Sequence, residues 1–186
     1  MDYKIAHKFG VSRTPIREAL QKLANESFVT IKPNKAIFVK KFSIKEIKEV
    51  LLIRSALLGI AAEIAINKIT KEEIKKLEKD LEKMKVFCGE NDFLNYRKMS
   101  AKSHYLIVEI SKNILIKKIL DDLEDLAYII QILSLQVLDR LKNFLKQHKD
   151  ILQAIKKGNE ELANKLSRGH YKNTLENIIK NVKNII

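Results

Sequence analysis

Apolar residues recur at spacings of three and four through most of the chain, and two short stretches break that rhythm. In Asp2–Phe9, Ile5, Ala6 and Phe9 share one helical face, and Gly10 ends the pattern with a conformation other residues resist. Ser12 then stands as an N-cap, and Pro15 is tolerated in a first turn. A second helix is predicted to about Asn25, with Ile16, Ala19, Leu20 and Leu23 on one face. The period then changes to two short β-type runs, Phe28–Ile31 and Ala36–Val39, separated by Lys32-Pro33-Asn34-Lys35 as turn material.

From Phe42 on, every segment reads as helix. Ser43-Ile44-Lys45-Glu46 and Thr70-Lys71-Glu72-Glu73 are both capping boxes. The first opens a helix to about Asn67 and the second a helix to about Val86. A further helix starts at Glu90–Asp92 and is interrupted at Ser111-Lys112-Asn113. Helices are then predicted at about 114–138 and 140–157. Gly158 is a stop, and Asn159-Glu160-Glu161 restarts a last helix with a cap and an acidic first turn. The expected fold class is mainly α, with two domains. Residues 1–41 have the outline of a winged helix-turn-helix, and residues 42–186 form an all-helical bundle.

Composition narrows the class. The 186 residues carry 36 Lys and Arg against 23 Asp and Glu, a net +13. Residues 1–41 hold nine basic and three acidic side chains, which concentrates positive charge in the predicted head and points to a polyanionic partner. Cys88 is the only cysteine, so no intramolecular disulfide forms, as suits a reducing compartment. The most apolar stretch, Leu126–Leu138, is interrupted by Gln131, Ser134 and Gln136 and is shorter than the roughly 20 residues of a membrane span. No secretory signal is read in residues 1–20, so a cytoplasmic location without membrane attachment is expected.

Gly10-Val11-Ser12-Arg13-Thr14-Pro15-Ile16-Arg17-Glu18-Ala19-Leu20 resembles the recognition-helix signature of GntR-type transcription regulators. Ile31–Lys35 with Phe38-Val39 resembles that family's wing, and the remainder is similar to its FadR-like branch, with a helical FCD ligand domain. The physics of the head agrees. Ser12 and the backbone N–H groups at a helix N-terminus suit phosphate. Arg13 and Arg17 share a helix face and carry the paired donors that fit guanine O6 and N7. Thr14 suits phosphate or a thymine methyl, and Lys32 and Lys35 add wing contacts. Three departures from the family stand out. The helix that usually precedes the first one here is missing, which leaves Ile5, Phe9, Leu20 and Leu23 without a covering layer. Ala36 and Ser27 replace two glycines of the wing. The expected DNA-binding domain is therefore truncated.

His104, His148 and His170 fall on three separate predicted helices, and a turn at Gly158 lets the last two run antiparallel. Three imidazoles with open positions suit zinc, nickel or cobalt. The resemblance implies the same set, because metal-binding FCD domains carry Asp-x-x-x-His on one helix and single histidines on two later ones. Ser100 stands at the Asp position here. The alternative is that the three histidines are structural or left from a metal-binding ancestor. Arg54 resembles the family's Leu-x-x-x-Arg stretch, and with Ser100 it would meet a small carboxylate effector. The alternative role for Arg54 is a structural ion pair.

These readings lead to a ligand-responsive DNA-binding regulator, not an enzyme. It is expected to be homodimeric, to bind a double-stranded operator and a small organic acid, and to hold a divalent zinc or nickel ion. Two alternatives stay open: a sensor or interaction protein that has lost DNA binding, and a small metal-dependent enzyme. No His-Glu-x-x-His, glycine-rich phosphate loop or nucleophile elbow supports the last.

Overall fold

The computed structural model describes residues 2–25, 29–32, 36–39, 43–135 and 140–181. It divides into two compact units, 1–43 and 44–186.

In the first unit, α1 (Asp2–Phe9) and α2 (Arg13–Asn25) precede an antiparallel hairpin of β1 (Val29–Lys32) and β2 (Ala36–Val39). Val29 pairs with Val39 and Lys32 with Ala36. Gly10 has φ 65°. The Val11 N–H reaches the Ala6 carbonyl at 3.1 Å and the Gly10 N–H reaches His7 at 3.3 Å, which is a Schellman ending to α1. Ala6 is buried, whereas Phe9 is 69% and Leu23 38% exposed. The apolar face expected to lack cover is thus open at those two residues. Phe28, Ser27 and Lys35 lie outside the described residues, as does the turn between the strands.

The second unit is a helical bundle: α3 (Ile44–Ile66), α4 (Lys71–Gly89), α5 (Phe93–Ser111), α6 (Ile114–Asp122), α7 (Glu124–Leu135), α8 (Arg140–Lys156) and α9 (Glu160–Asn181). The α3–α9 pairing is the most extensive in it. Small residues make it close: a Cβ at Gly59 would lie 2.7 Å from Arg168 Cγ, and Ala61, Ala62, Ala65 and Ala163 have no exposed surface. The main core joins Ala62 and Ala65 to Leu77, Ile107, Ile110, Ile151 and Ile155. A second cluster holds Met84, Tyr96, Leu141 and Phe144.

Caps set the helix ends. Thr70 Oγ1 accepts from the Glu73 N–H at 3.2 Å, and Glu73 Oε2 accepts from the Thr70 N–H at 2.8 Å, which completes the capping box. Asp92 caps α5 and Asn113 caps α6. Gly158, at φ 68°, closes α8, with the Asn159 N–H on Ala154 and the Gly158 N–H on Ile155, both at 3.0 Å. Asn159 Oδ1 then accepts from the Leu162 N–H at 2.9 Å and starts α9.

One expected element is corrected. The helix predicted over 114–138 is two helices, broken at Leu123. Asp121 and Asp122 bring negative charge to the C-terminal end of α6, where the helix dipole disfavours it. Glu124 and Asp125 bring it to the first turn of α7, where the dipole favours it, and Ala127 restarts the ladder on the Leu123 carbonyl. The end of the apolar stretch, residues 136–139, lies outside the described residues.

Thr70→Ala removes the side-chain half of a solvent-facing cap, the Oγ1 acceptor for the Glu73 N–H, and is expected to lower stability by about 1 kcal/mol. Urea denaturation followed by circular dichroism checks this. Thr70→Ser should recover most of the loss, and an unchanged midpoint for Thr70→Ala would show that the box contributes nothing.

Candidate functional site

The structure places Ser12, Arg13 and Thr14 together at the start of α2, all exposed. Arg17 lies one turn on, and its Nε donates to Asp2 Oδ2 at 2.9 Å. That partner was not read from the sequence. Lys32 ends β1, but its side chain, like all of Lys35, is outside the described residues.

The second unit assembles His104 from α5, His148 from α8 and His170 from α9. One ring nitrogen from each lies within 4.8 Å of the others, and all three side chains are buried. Ring centroids are 4.9 Å apart for His104 and His148, and 4.7 Å for His148 and His170. The α8–α9 turn brings the last two together, as the sequence suggested.

Hydrogen bonds orient the rings. His148 Nδ1 meets the Phe144 carbonyl at 2.8 Å. A carbonyl only accepts, so Nδ1 carries the proton and Nε2 keeps its lone pair. Ser100 Oγ, one turn before His104 on α5, donates to that Nε2 at 2.9 Å. His170 Nδ1 meets Gln147 Oε1 at 2.8 Å, and His104 Nδ1 meets the Tyr171 hydroxyl at 3.1 Å. His104 Nε2 is buried and has no hydrogen-bond partner. A buried polar nitrogen left unsatisfied costs roughly 1–3 kcal/mol.

Burial holds the His104 and His148 rings neutral. It pushes His104 well below the ordinary range, and the neighbouring His148 and His170 add to the effect. Burial also lowers His148 to about 4, against a smaller opposing effect of the Phe144 carbonyl. Neutral imidazole is the form a metal needs. Outer partners on Nδ1 are what fix ligating histidines in metal sites. With the orphaned His104 Nε2, these features fit a divalent ion. The cluster is therefore able to coordinate a metal ion.

Beside the trio lies a cavity of about 30 Å³, lined among others by Arg54, Arg97, Ser100, His148, His170 and Thr174. It accommodates about two waters. Arg54 is 4% exposed, and its Nη1 donates to Glu124 Oε2 at 3.2 Å, while its Nε is buried without a hydrogen-bond partner. The ion pair weighed for Arg54 is present, and the residue also faces the cavity. Arg97 stacks on Tyr128, with Cζ 3.9 Å from the ring centroid. Sequence reasoning missed Arg97, Glu124, Gln147, Tyr171 and Thr174. Arg97 had a signal, since it lies seven residues before His104 and shares its face of α5. Thr174 had one too, one turn after His170 on α9, where its Oγ1 donates to the His170 carbonyl at 3.0 Å; the contacts of Glu124, Gln147 and Tyr171 with the site are made by helix packing.

Comparison with known proteins gives the same picture. The FCD domain family matches residues 49–173, and the gntR family of bacterial regulatory proteins matches residues 3–39. The chain is 29% identical over 176 residues to the HTH-type transcriptional regulator YdhC of Bacillus subtilis, covering 94% of this chain and 79% of that one. It is 23% identical over 175 residues to the HTH-type transcriptional repressor RspR of Escherichia coli, covering 94% and 77%. Among solved structures, E. coli McbR/YncC superposes with a TM-score of 0.81 at 18% identity, over 98% of this chain and 87% of that one. A metal-free FCD domain gives a TM-score of 0.66 at 21% identity, over 77% and 99%. Among the described residues, no helix is long and apolar enough to cross a membrane. The family is one of DNA-binding regulators and not of enzymes, and the chain belongs to it: it is a GntR-family transcriptional regulator with an FCD-type effector-binding domain.

Proposed function

We propose that the chain is a metal-assisted sensor of a small organic acid that reports to an operator through its first 41 residues. The observation that carries this reading is the buried histidine trio, of which His148 and His170 line a cavity shared with two arginines. His104, His148 and His170 would hold zinc or nickel. Bound there, the ion supplies a Lewis-acidic centre for carboxylate oxygens. Arg54 and Arg97 add positive charge on the same cavity, and Ser100 offers a hydroxyl. The cavity is small, so an organic acid gains room and a partner by displacing Glu124 from Arg54. An acidic effector answers two needs at once: it neutralises the arginines and completes the ion's shell.

In the DNA head, Ser12, Arg13, Thr14 and Arg17 are read as the operator contacts, with Lys32 and Lys35 from the wing. The sensor domain is read as residues 42–186 and as the site of homodimer formation. Exposed apolar residues on α3 (Leu52, Ile53, Ile60) and α6 (Ile114, Leu115, Ile119) support that reading. A non-DNA-binding sensor is the second reading, favoured by the exposed Phe9 and Leu23 of the head.

Three outcomes are expected. First, zinc or nickel should raise the thermal midpoint, since the ligands come from separate helices. Ser100→Asp should tighten metal binding by restoring a carboxylate, and His148→Ala should abolish the shift. No shift in either the natural chain or Ser100→Asp would reject the metal reading. His104 and His148 also set a pH dependence in chelator. The unfolded histidines take protons below about pH 6.5, whereas folded His148 stays neutral to about pH 4. Stability is therefore full above pH 6.5 and falls from there to about pH 4, by up to about 1.4 kcal/mol per pH unit for each such histidine. A flat profile over that window would contradict neutral burial.

Second, Arg13→Ala and Arg17→Ala should each weaken binding to the chain's own upstream DNA by about 1–3 kcal/mol. Titrations at fixed salt, with folding checked by circular dichroism, measure this. Unchanged affinity in both removes the recognition-helix assignment. Third, light scattering on the full chain at micromolar concentration should return twice the 21.5 kDa chain mass. A monomer would contradict the dimer.

A further inference from the structure

Arg17 is held from outside its own helix. Asp2, in the first turn of α1, is 7% exposed, and its carboxylate accepts from Arg17 Nε at 2.9 Å across 15 residues of sequence. The Arg17 side chain remains 52% exposed. Its hydrogen bond with Arg17 comes first among the influences that hold the Asp2 carboxyl down at about 2, so Asp2 is charged throughout the physiological range.

Which nitrogen is used matters. An arginine meets guanine O6 and N7 with two parallel N–H groups, and the terminal Nη pair forms such a fork end-on. A carboxylate on Nε grips the other side of the same rigid plane. It limits rotation about the long side chain, so less rotamer entropy is lost when the fork pairs with a base. The same carboxylate brings a negative charge to the helix pair that meets phosphate, where it opposes sequence-independent attraction. Both effects raise the ratio of specific to non-specific binding. A cap on α1 alone would do neither.

We propose that Asp2 is a specificity-determining positioning residue, which fixes the Arg17 guanidinium for end-on pairing with one guanine of the operator. The proposal rests on the reading of Arg17 as a base contact. It adds a residue that touches no base and yet sets how sharply one is read.

The test uses the full chain, tagged at its C-terminus, and duplexes selected by it from a random-sequence library. Each guanine of the selected site is replaced in turn by 7-deazaguanine, which lacks the N7 acceptor. The natural chain should lose about tenfold in affinity at one guanine per half-site. Arg17→Ala should be indifferent to that replacement. Asp2→Asn should keep less than about a threefold sensitivity while binding a non-specific duplex as well as, or better than, the natural chain, and Asp2→Glu should recover part of the discrimination. In an Arg17→Ala background, Asp2→Asn should change no guanine sensitivity further. If Arg17→Ala keeps its sensitivity at every guanine, or no duplex is selected, the base-contact reading falls and the proposal with it. If Arg17→Ala loses the sensitivity but Asp2→Asn retains it in full, Arg17 stands as the reader and the positioning role is wrong. If Asp2→Asn weakens specific and non-specific binding equally, with loss of helical circular dichroism, Asp2 is only structural and the proposal is overturned.

Discussion

Three imidazoles, buried between α5, α8 and α9, impose the condition that much of the second unit satisfies. A buried polar ring is tolerated only where its nitrogens find partners. The partners come from four sources: the Phe144 carbonyl within α8, the Gln147 amide beside His148, the Tyr171 hydroxyl on α9 and the Ser100 hydroxyl on α5. Each is delivered by a helix whose register is pinned elsewhere. The Gly158-Asn159 turn fixes α8 against α9, and the glycine and alanine face of α3 lets α9 lie close. His104 Nε2 is buried without a hydrogen-bond partner, and it sits where a ligand bond would relieve it.

Charge follows the same arrangement. Arg54 and Arg97 line the cavity beside His148, which burial keeps uncharged, so the positive potential there comes from the guanidinium groups. Arg54 is paired with Glu124, the first residue of α7. An anion that competes for Arg54 therefore acts directly on a helix terminus, at the break that divides α6 from α7. A ligand with different affinity for the paired and displaced arrangements shifts their populations, which is the thermodynamic requirement for a sensor.

How far the sequence foretold this depends on whether a feature is local. Gly10, Thr70, Gly158 and Asn159 act within a few residues of themselves, and each end they mark lies where it was read. The signal at Asp121–Asp125 was local too, but the apolar periodicity ran through it and concealed the break. The histidines were legible because three helices, an antiparallel turn and the family resemblance agreed, and Ser100 followed from its place one turn before His104. Glu124, Gln147, Tyr171 and Asp2 were not legible. Their partners are 70, 23, 67 and 15 residues away, and only the crossing of helices decides which side chains meet. Arg54 shows both sides of this: the family resemblance singled it out, while the identity of its carboxylate partner needed the fold.

The account turns on the histidine trio holding an ion through its imidazole nitrogens. X-ray absorption at the metal edge of the zinc-loaded or nickel-loaded chain reads that shell directly. The account predicts three imidazole nitrogens with their outer-ring scattering, at about 2.0–2.1 Å for zinc, completed by oxygen and without sulfur. A shell of oxygens alone, or one that keeps its imidazole scattering unchanged in His148→Ala, would contradict it.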